Sequence, residues 1–336
     1  MKFGTYYFLQ ATPDRSAASI ISDEVEQMVL SEQLGFDSVW MTEHHYADYG
    51  LSAAPSVLLA TVAARTERIT LGTAVYVLPF HNPLRLAEET ATLDILSNGR
   101  IVVGLGRGNR PQEFLGLCVP QDESRTRMQE GLDVLRRAWT EERVTYEGRH
   151  WQFDGISVYP KPLTKPHPPL VFAVSSPESI QWAGANGLAI MSSGLTTPTE
   201  SLLNQRATYL AALQSAGHGE ATVAELSSRW IVSKHVYVAP TDEEARADAE
   251  GPEKWYLDSF ARSIRPDGLR GISDAVRQQA TAAATRASSL RWEDLIEDRL
   301  LIGSPETIRQ RVAALREIGV GELMCWMSFG GLSPDK

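Results

Sequence analysis

The sequence predicts an α/β chain closed as a (β/α)8 TIM barrel with insertions and a short or missing last helix. Three observations carry that prediction. Eight short apolar segments alternate with helix-patterned ones, the joining loops span a few residues, and Ser or Thr caps precede several of the helical stretches. The length agrees, since 336 residues accommodate one barrel with insertions, and residues 1–336 read as a single domain. A doubly wound open sheet is the alternative arrangement of the same elements.

Residues 1–9 form an apolar and aromatic first strand, and residues 20–34 place Ile21, Val25, Met28 and Val29 on one helical face. The pattern then repeats. Strands are expected over 37–41, 69–77 and 101–105, with helices over 55–64, 84–96 and 128–139. A Pro-, aromatic- and turn-rich stretch over about 146–169 reads as an insertion before the fifth strand, 170–174. Ser176-Pro177-Glu178 caps a helix that ends near Gly187. A sixth strand over 188–191 follows, and Thr197-x-x-Glu200 has the form of a capping box opening the next helix. The seventh strand spans 230–238, and Thr241-x-x-Glu244 opens another helix. Residues from about 251 to 295 are polar and rich in Arg and Ala, with helical pieces and no strand. They suit an active-site lid, a surface helical excursion being the plainer alternative. Ser304-Pro305-Glu306 caps the last helix, and the eighth strand lies within 319–328. Only Phe329 to Lys336 remain for an eighth helix.

Composition narrows the functional classes. With 43% hydrophobic residues the chain can bury a large core. The 32 basic against 42 acidic residues give a net charge of -10, and the basic residues are scattered. That argues against a nucleic-acid or anionic-membrane partner and for a small-molecule ligand. No run of about 18 uncharged apolar residues occurs, and the N-terminus has no cleavage-site pattern, so the cytoplasm is the default location. Cys118 and Cys325 form neither a CxxC pair nor a metal-ligand cluster.

In a barrel the chemistry sits just past the strand ends. The second strand runs into Thr42-Glu43-His44-His45, three adjacent titratable groups suited to general acid or base work. Loop hydrogen bonding is the structural alternative. A metal site is weaker, because neighbouring strand residues point to opposite faces and no other ligand cluster accompanies them. The fourth strand runs into Gly104-Leu105-Gly106-Arg107-Gly108-Asn109-Arg110, where glycines admit close backbone approach and arginines can fork onto phosphate. It has neither the Walker nor the GxGxxG spacing. Ser124-Arg125 and Ser175-Ser176-x-x-Ser179 open helices, where N–H groups and the dipole favour an anion. Each could be a simple cap; together they outline a phosphate cradle.

The segments MKFG, SVWMTEHH, TAVYVLPFHNPLRLAEETATLDILSNGRIVVGLGRG, VFAVSSPESIQWAGANGL and IGSPETIRQRVAALREIGVGEL resemble those of the bacterial luciferase-like flavin-dependent monooxygenases over nearly the whole chain. The resemblance implies a barrel that uses FMN as a dissociable, reduced co-substrate (FMNH2) and O2, through a C4a-peroxyflavin, to oxygenate a small organic substrate. By the same resemblance His44 is the catalytic histidine and Glu43 the acid supporting the third strand and the flavin site. Ala74 and Val75 match a non-prolyl cis pair under the isoalloxazine ring. Arg107, Arg125, Ser176 and Ser179 match phosphate contacts, and Ala173, Val174 and Ser175 the segment along the flavin edge and ribityl chain. Gly106 stands where the light-emitting subunit has a cysteine, which argues against light emission. Ser175 replaces an acidic residue. Gly194 replaces a bulky aromatic and points to a roomier pocket, while Trp255-Tyr256 resembles the start of the family's lid.

The resemblance also implies a separate NAD(P)H:flavin reductase, because no dinucleotide-binding domain fits in the chain, and a homodimer packed through residues 55–64 and 84–96. Tyr6, Phe8, Tyr76 and the lid are expected to line the substrate pocket. Hydroxylation, Baeyer-Villiger and epoxidation chemistry all remain open. The rival readings are a deazaflavin (F420)-dependent oxidoreductase, a non-catalytic flavin-binding accessory protein and a metal-dependent barrel hydrolase.

Overall fold

Eight parallel strands pair in chain order in the computed structural model, which describes residues 1–194 and 197–333. They are β1 (Lys2–Tyr7), β2 (Ser38–Met41), β3 (Thr70–Thr73), β4 (Ile101–Gly106), β5 (Leu170–Val174), β6 (Ala189–Ser193), β7 (Ile231–Val238) and β8 (Glu322–Trp326). β8 then pairs back onto β1, with Met324 opposite Gly4, and β7 joins β6 to β8. The sheet is therefore closed, and the open-sheet alternative is excluded. All four residues of β2 are buried, as strands covered on both faces require.

Packing inside the barrel is set by size complementarity. Trp40 fills the N-terminal end, and a Cβ on Gly72 would lie 2.2 Å from its ring. Its indole N–H is shared by Ser38 Oγ at 2.8 Å and Glu322 Oε1 at 2.7 Å, so the large side chain is buried without losing its hydrogen bond. This end holds a cavity of about 570 Å³ lined by Trp40 and Glu322, and the candidate catalytic residues lie at the opposite, C-terminal end.

The connecting helices are α1 (Ala17–Gln33), α2 (Pro55–Ala63), α3 (Pro83–Leu96), α4 (Ser124–Thr140), α5 (Pro177–Ala185), α6 (Thr199–Ser215), α7 (Asp242–Ile264), α8 (Asp274–Ser288), α9 (Trp292–Asp298) and α10 (Pro305–Glu317). Ser176, Thr241 and Ser304 cap α5, α7 and α10 as their sequences predict. The capping box at Thr197 does not form. Thr197 instead donates to the Ser193 carbonyl at 2.7 Å, and the Thr199 N–H is taken by Asp298 Oδ2 at 2.9 Å. A tertiary carboxylate has displaced the local cap, a partner that local spacing does not reveal.

Two other expectations are refined. The strand expected over 69–77 is interrupted by the cis Ala74–Val75 peptide, after which Tyr76 and Val77 pair again with β4. The excursion expected from 251 begins inside a helix, because α7 runs through Gly251 and Pro252 with Ala245, Ala249, Glu253, Tyr256 and Leu257 all buried. Burial of that face overrides the Gly-Pro break. From Ile264 to Asp298 the excursion is α8, α9 and loops, without a strand. The insertion contains an antiparallel hairpin, Val144–Glu147 with Gln152–Ile156.

A short turn, Phe329–Gly331, takes the place of an eighth helix. Phe329 is fully buried and stacks on His235 with ring centroids 4.4 Å apart. The Gly330 N–H donates to Gln10 Oε1 at 2.7 Å, and Gly330 packs so closely on Pro252 of α7 that a Cβ would sit 1.9 Å from its carbonyl oxygen. Ser328 Oγ donates to Glu24 Oε2 of α1 at 3.2 Å. The gap between α1 and α7 is thus filled by the tail itself. No helix among the described residues is long and apolar enough to cross a membrane.

Candidate active site

A cavity of about 250 Å³ opens at the C-terminal end of the strands. It gathers the twelve residues expected to be catalytic or to hold the cofactor: Glu43, His44, Ala74, Val75, Gly106, Arg107, Arg125, Ala173, Val174, Ser175, Ser176 and Ser179. Residues from four strand ends meet there because consecutive loops of a barrel face the same mouth.

Glu43 leaves β2 pointing at the third strand's continuation. Its Oε2 accepts the Val77 N–H at 2.5 Å, and its Oε1 lies 2.8 Å from His81 Nε2 and 3.1 Å from His45 Nε2. Burial alone would raise this carboxyl, but the charge of His81 and these hydrogen bonds outweigh it and hold it at about 2. His81 rises in turn: burial opposes its protonation and the Glu43 carboxylate more than compensates. The pair fixes the backbone beyond the cis peptide, whose Ala74 carbonyl accepts the Tyr6 hydroxyl at 3.1 Å.

His44 has a different partner. Its Nδ1 lies 3.0 Å from Glu113 Oε1, which also accepts the His45 N–H at 3.1 Å. Burial and the nearby Arg110 lower the imidazole, with Glu113 opposing them. The Glu113 carboxyl is itself lowered despite burial, chiefly by the bond and charge of His44. An ionised Glu113 therefore accepts a hydrogen bond from Nδ1–H of the neutral ring and leaves Nε2 as the basic nitrogen.

At the other end Arg107 and Arg125 lie close enough for their charges to lower Arg107, after the larger effect of its burial. Arg125 Nη2 donates to the exposed Glu178 Oε2 at 2.5 Å. The cradle at α5 is partly self-satisfied, because Ser179 Oγ accepts the N–H groups of Ser175 and Ser176 at 3.2 and 3.0 Å. A phosphate there would take over donors already in use. Gly106 is bare for a visible reason: a Cβ would come within 2.5 Å of Val75 Cγ2.

Some expected pocket residues lie elsewhere. The Tyr76 hydroxyl points outward to Ser56, next to Glu89, and lines a groove beside α2 and α3. Phe8 lies behind the cavity wall, stacked on Trp326 at 3.9 Å and on His44 at 5.4 Å. Gly194 does not widen the pocket. Its Cα packs on β7, where a Cβ would meet the Ser233 carbonyl oxygen at 2.7 Å. Phe260 and Ile264 of the excursion line an adjoining cleft of about 880 Å³, which α8 borders with an alanine-rich face.

Two contributors are absent from the expected set, Glu113 and His81, and Arg110 stands beside His44 rather than at the phosphate cradle. Glu113 lies in a short helix opened by Arg110-Pro111, a start signal directly after the glycine-rich run, and that juxtaposition was its one legible mark. No group of three or more His, Cys, Asp or Glu among the described residues could hold a metal ion.

Residues 1–322 match the luciferase-like monooxygenase family. The chain belongs to that family. The oxygenase component of flavin-dependent trigonelline monooxygenase from Acinetobacter baylyi is 24% identical, over 98% of this chain and 90% of its own. An uncharacterized protein of Sinorhizobium fredii, y4vJ, is 35% identical over 203 residues, 60% of this chain; the match spans 58% of its length. Among solved structures, the oxygenating constituent of 3,6-diketocamphane monooxygenase of Pseudomonas putida, a type II Baeyer-Villiger enzyme in complex with FMN, superposes with a TM-score of 0.79. It covers 97% of this chain and 91% of its own at 23% identity, which speaks for the fold.

Proposed function

We propose that this luciferase-like barrel is the oxygenase component of a two-component flavin-dependent monooxygenase, taking reduced FMN from a separate NAD(P)H:flavin reductase, together with O2 and a small organic substrate. The convergence of the His44–Glu113 pair, the Ala74–Val75 peptide and two arginines on one cavity carries this reading. The named relatives support it, being a flavin-dependent oxygenase component and an oxygenating constituent bound to FMN.

The residues present fit FMN. Gly106 and Val75 both line the cavity, and Gly106 has no room for a Cβ, which would lie 2.5 Å from Val75 Cγ2. Arg107, Arg125, Ser176 and Ser179 would hold the phosphate, and Ala173 to Ser175 would run along the ribityl chain. Bound reduced FMN supplies the electrons that activate O2.

The chain's own residues do the rest. Glu43 clamps Val77 and so keeps the Ala74–Val75 peptide in place. Glu113 orients His44, whose Nε2 holds or releases the proton that oxygen transfer requires. The buried aromatic wall around Tyr6, Phe8 and Trp326 and the helices of the excursion would keep water from the reacting end of the cavity. A homodimer through α2 and α3 is in keeping with the exposed Val57 and Leu96 on those helices.

The test is an anaerobic titration of the protein with reduced FMN, followed by mixing with aerated buffer under absorbance. Saturable binding and reoxidation far slower than that of free reduced flavin are the expected results. No binding, or reoxidation at the free rate, would overturn the proposal.

A further inference from the structure

We propose that the substrate of this site is an anion, held by its carboxylate or an equivalent planar oxyanion on Arg110; this deepens the monooxygenase reading and rests on it. Arg110 is 6% exposed and lines the same cavity as His44, Tyr6 and Met324. Its guanidinium lies over the Tyr49 ring, 4.3 Å from the centroid, in a position fixed from both sides. Nε donates to Ser263 Oγ at 3.2 Å, and Nη1 donates to Asn109 Oδ1 at 3.1 Å.

Those partners, with the Tyr49 hydroxyl, are all neutral and occupy at most three of the five N–H donors. No carboxylate among the described residues forms a salt bridge with Arg110. Glu113, whose carboxyl the charge of Arg110 helps to lower, directs its Oε1 to His44 and to the His45 N–H. A buried guanidinium with spare donors and no direct ion pair, its charge opposed by Glu113 only through space, is costly in the free protein and is repaid by an anionic ligand in the cavity it lines. The fork of Arg matches a carboxylate in two parallel hydrogen bonds.

The placement decides what the anion does. Arg107 and Arg125 lie at the α5 end of the cavity and serve the phosphate, whereas Arg110 stands beside His44. A substrate anchored on Arg110 is therefore presented to the reacting end. Because Ser263 and Phe260 belong to α7, the same contact would couple substrate charge to closure of the excursion.

Isothermal titration of the protein saturated with oxidised FMN tests this, with benzoate and its neutral isostere benzamide as probes. FMN fills the phosphate cradle, so Arg107 and Arg125 are not available to the probe. Benzoate is expected to bind roughly tenfold or more tightly than benzamide, and Arg110→Met to abolish that preference while FMN affinity stays within about twofold. Arg110→Lys keeps the charge without the fork and should retain part of the preference, which covers the case in which the Met variant does not fold. Equal binding of the two probes, binding of neither, or a preference that survives Arg110→Met would overturn the proposal. Failure of oxidised FMN to bind would leave the monooxygenase reading to the titration with reduced FMN, and the probe comparison would then be read on the flavin-free chain.

Discussion

Glu113 Oε1 stands 3.0 Å from His44 Nδ1 and 3.1 Å from the His45 N–H, so one carboxylate oxygen fixes both the ring and the backbone beside it. The two residues are 69 apart in sequence and come from the loops after β2 and β4. This bond decides which ring nitrogen of His44 is basic.

Replacing Glu113 by Gln keeps the shape and removes the charge. Glu113 raises the His44 pKa against burial and Arg110, so its neutralisation lowers that pKa further and moves the acid limb of the pH–rate profile to lower pH. The loss of tautomer control should lower kcat by roughly tenfold or more. Steady-state rates from pH 5 to 8 with reduced FMN check both; an unshifted limb would show that His44 is not the group being titrated.

Glu43 makes an acid-stability prediction. Its carboxyl sits near 2 in the folded chain against an ordinary 4.5. A depressed folded value means that its stabilisation is fully present above about pH 4.5 and fades as pH falls towards 2, an effect of about 3 kcal/mol at most. Glu43→Gln should be less stable at neutral pH, and the gap from the parent protein should narrow as pH drops from 5 to 3. Urea unfolding of both proteins across that range measures it.

Gly106 and Val75 form a steric pair. Gly106→Ala places a methyl within 2.5 Å of Val75 Cγ2, so one residue must move into the surface on which FMN would lie. FMN affinity should fall by about tenfold, and Val75→Ala in the same chain should restore much of it, a coupling that neighbouring residues show and distant ones do not. Fluorescence quenching of FMN by the four proteins of the cycle gives the coupling directly.

The strand order and the loops carrying Glu43, His44, Arg107, Arg125 and Ser175 to Ser179 are legible from local pattern, whereas Ala74, Val75, Ala173 and Val174 are legible only through the family resemblance. Short continuous apolar runs mark β1 to β8, as strands covered on both faces require, and strand ends identify the loops that carry polar chemistry. What local pattern misses is the distant partner. Asp298 replaces Thr197 as the α6 cap across 99 residues, and Phe329 with Gly330 closes the gap of a missing helix on the strength of contacts with His235, Gln10 and Pro252. Glu113 was invisible for the same reason. The outward turn of Tyr76 accompanies a one-residue change of register, from Gly72 opposite Val102 to Tyr76 opposite Leu105, a step that alternation does not encode.

Arg125 and Glu178 offer a gain rather than a loss. The pair is exposed, so breaking it should change stability by less than about 1 kcal/mol. Yet Glu178 occupies the guanidinium that a phosphate would need, and its own charge repels that phosphate at the N-terminus of α5. Glu178→Ala should therefore bind FMN several-fold more tightly while leaving riboflavin, which lacks the phosphate, unchanged. Arg125→Ala should do the reverse, weakening FMN by roughly tenfold and sparing riboflavin. Equilibrium dialysis of the two flavins against the three proteins separates the outcomes: equal effects on both flavins would place the phosphate elsewhere, and a gain confined to FMN would place it at the mouth of α5.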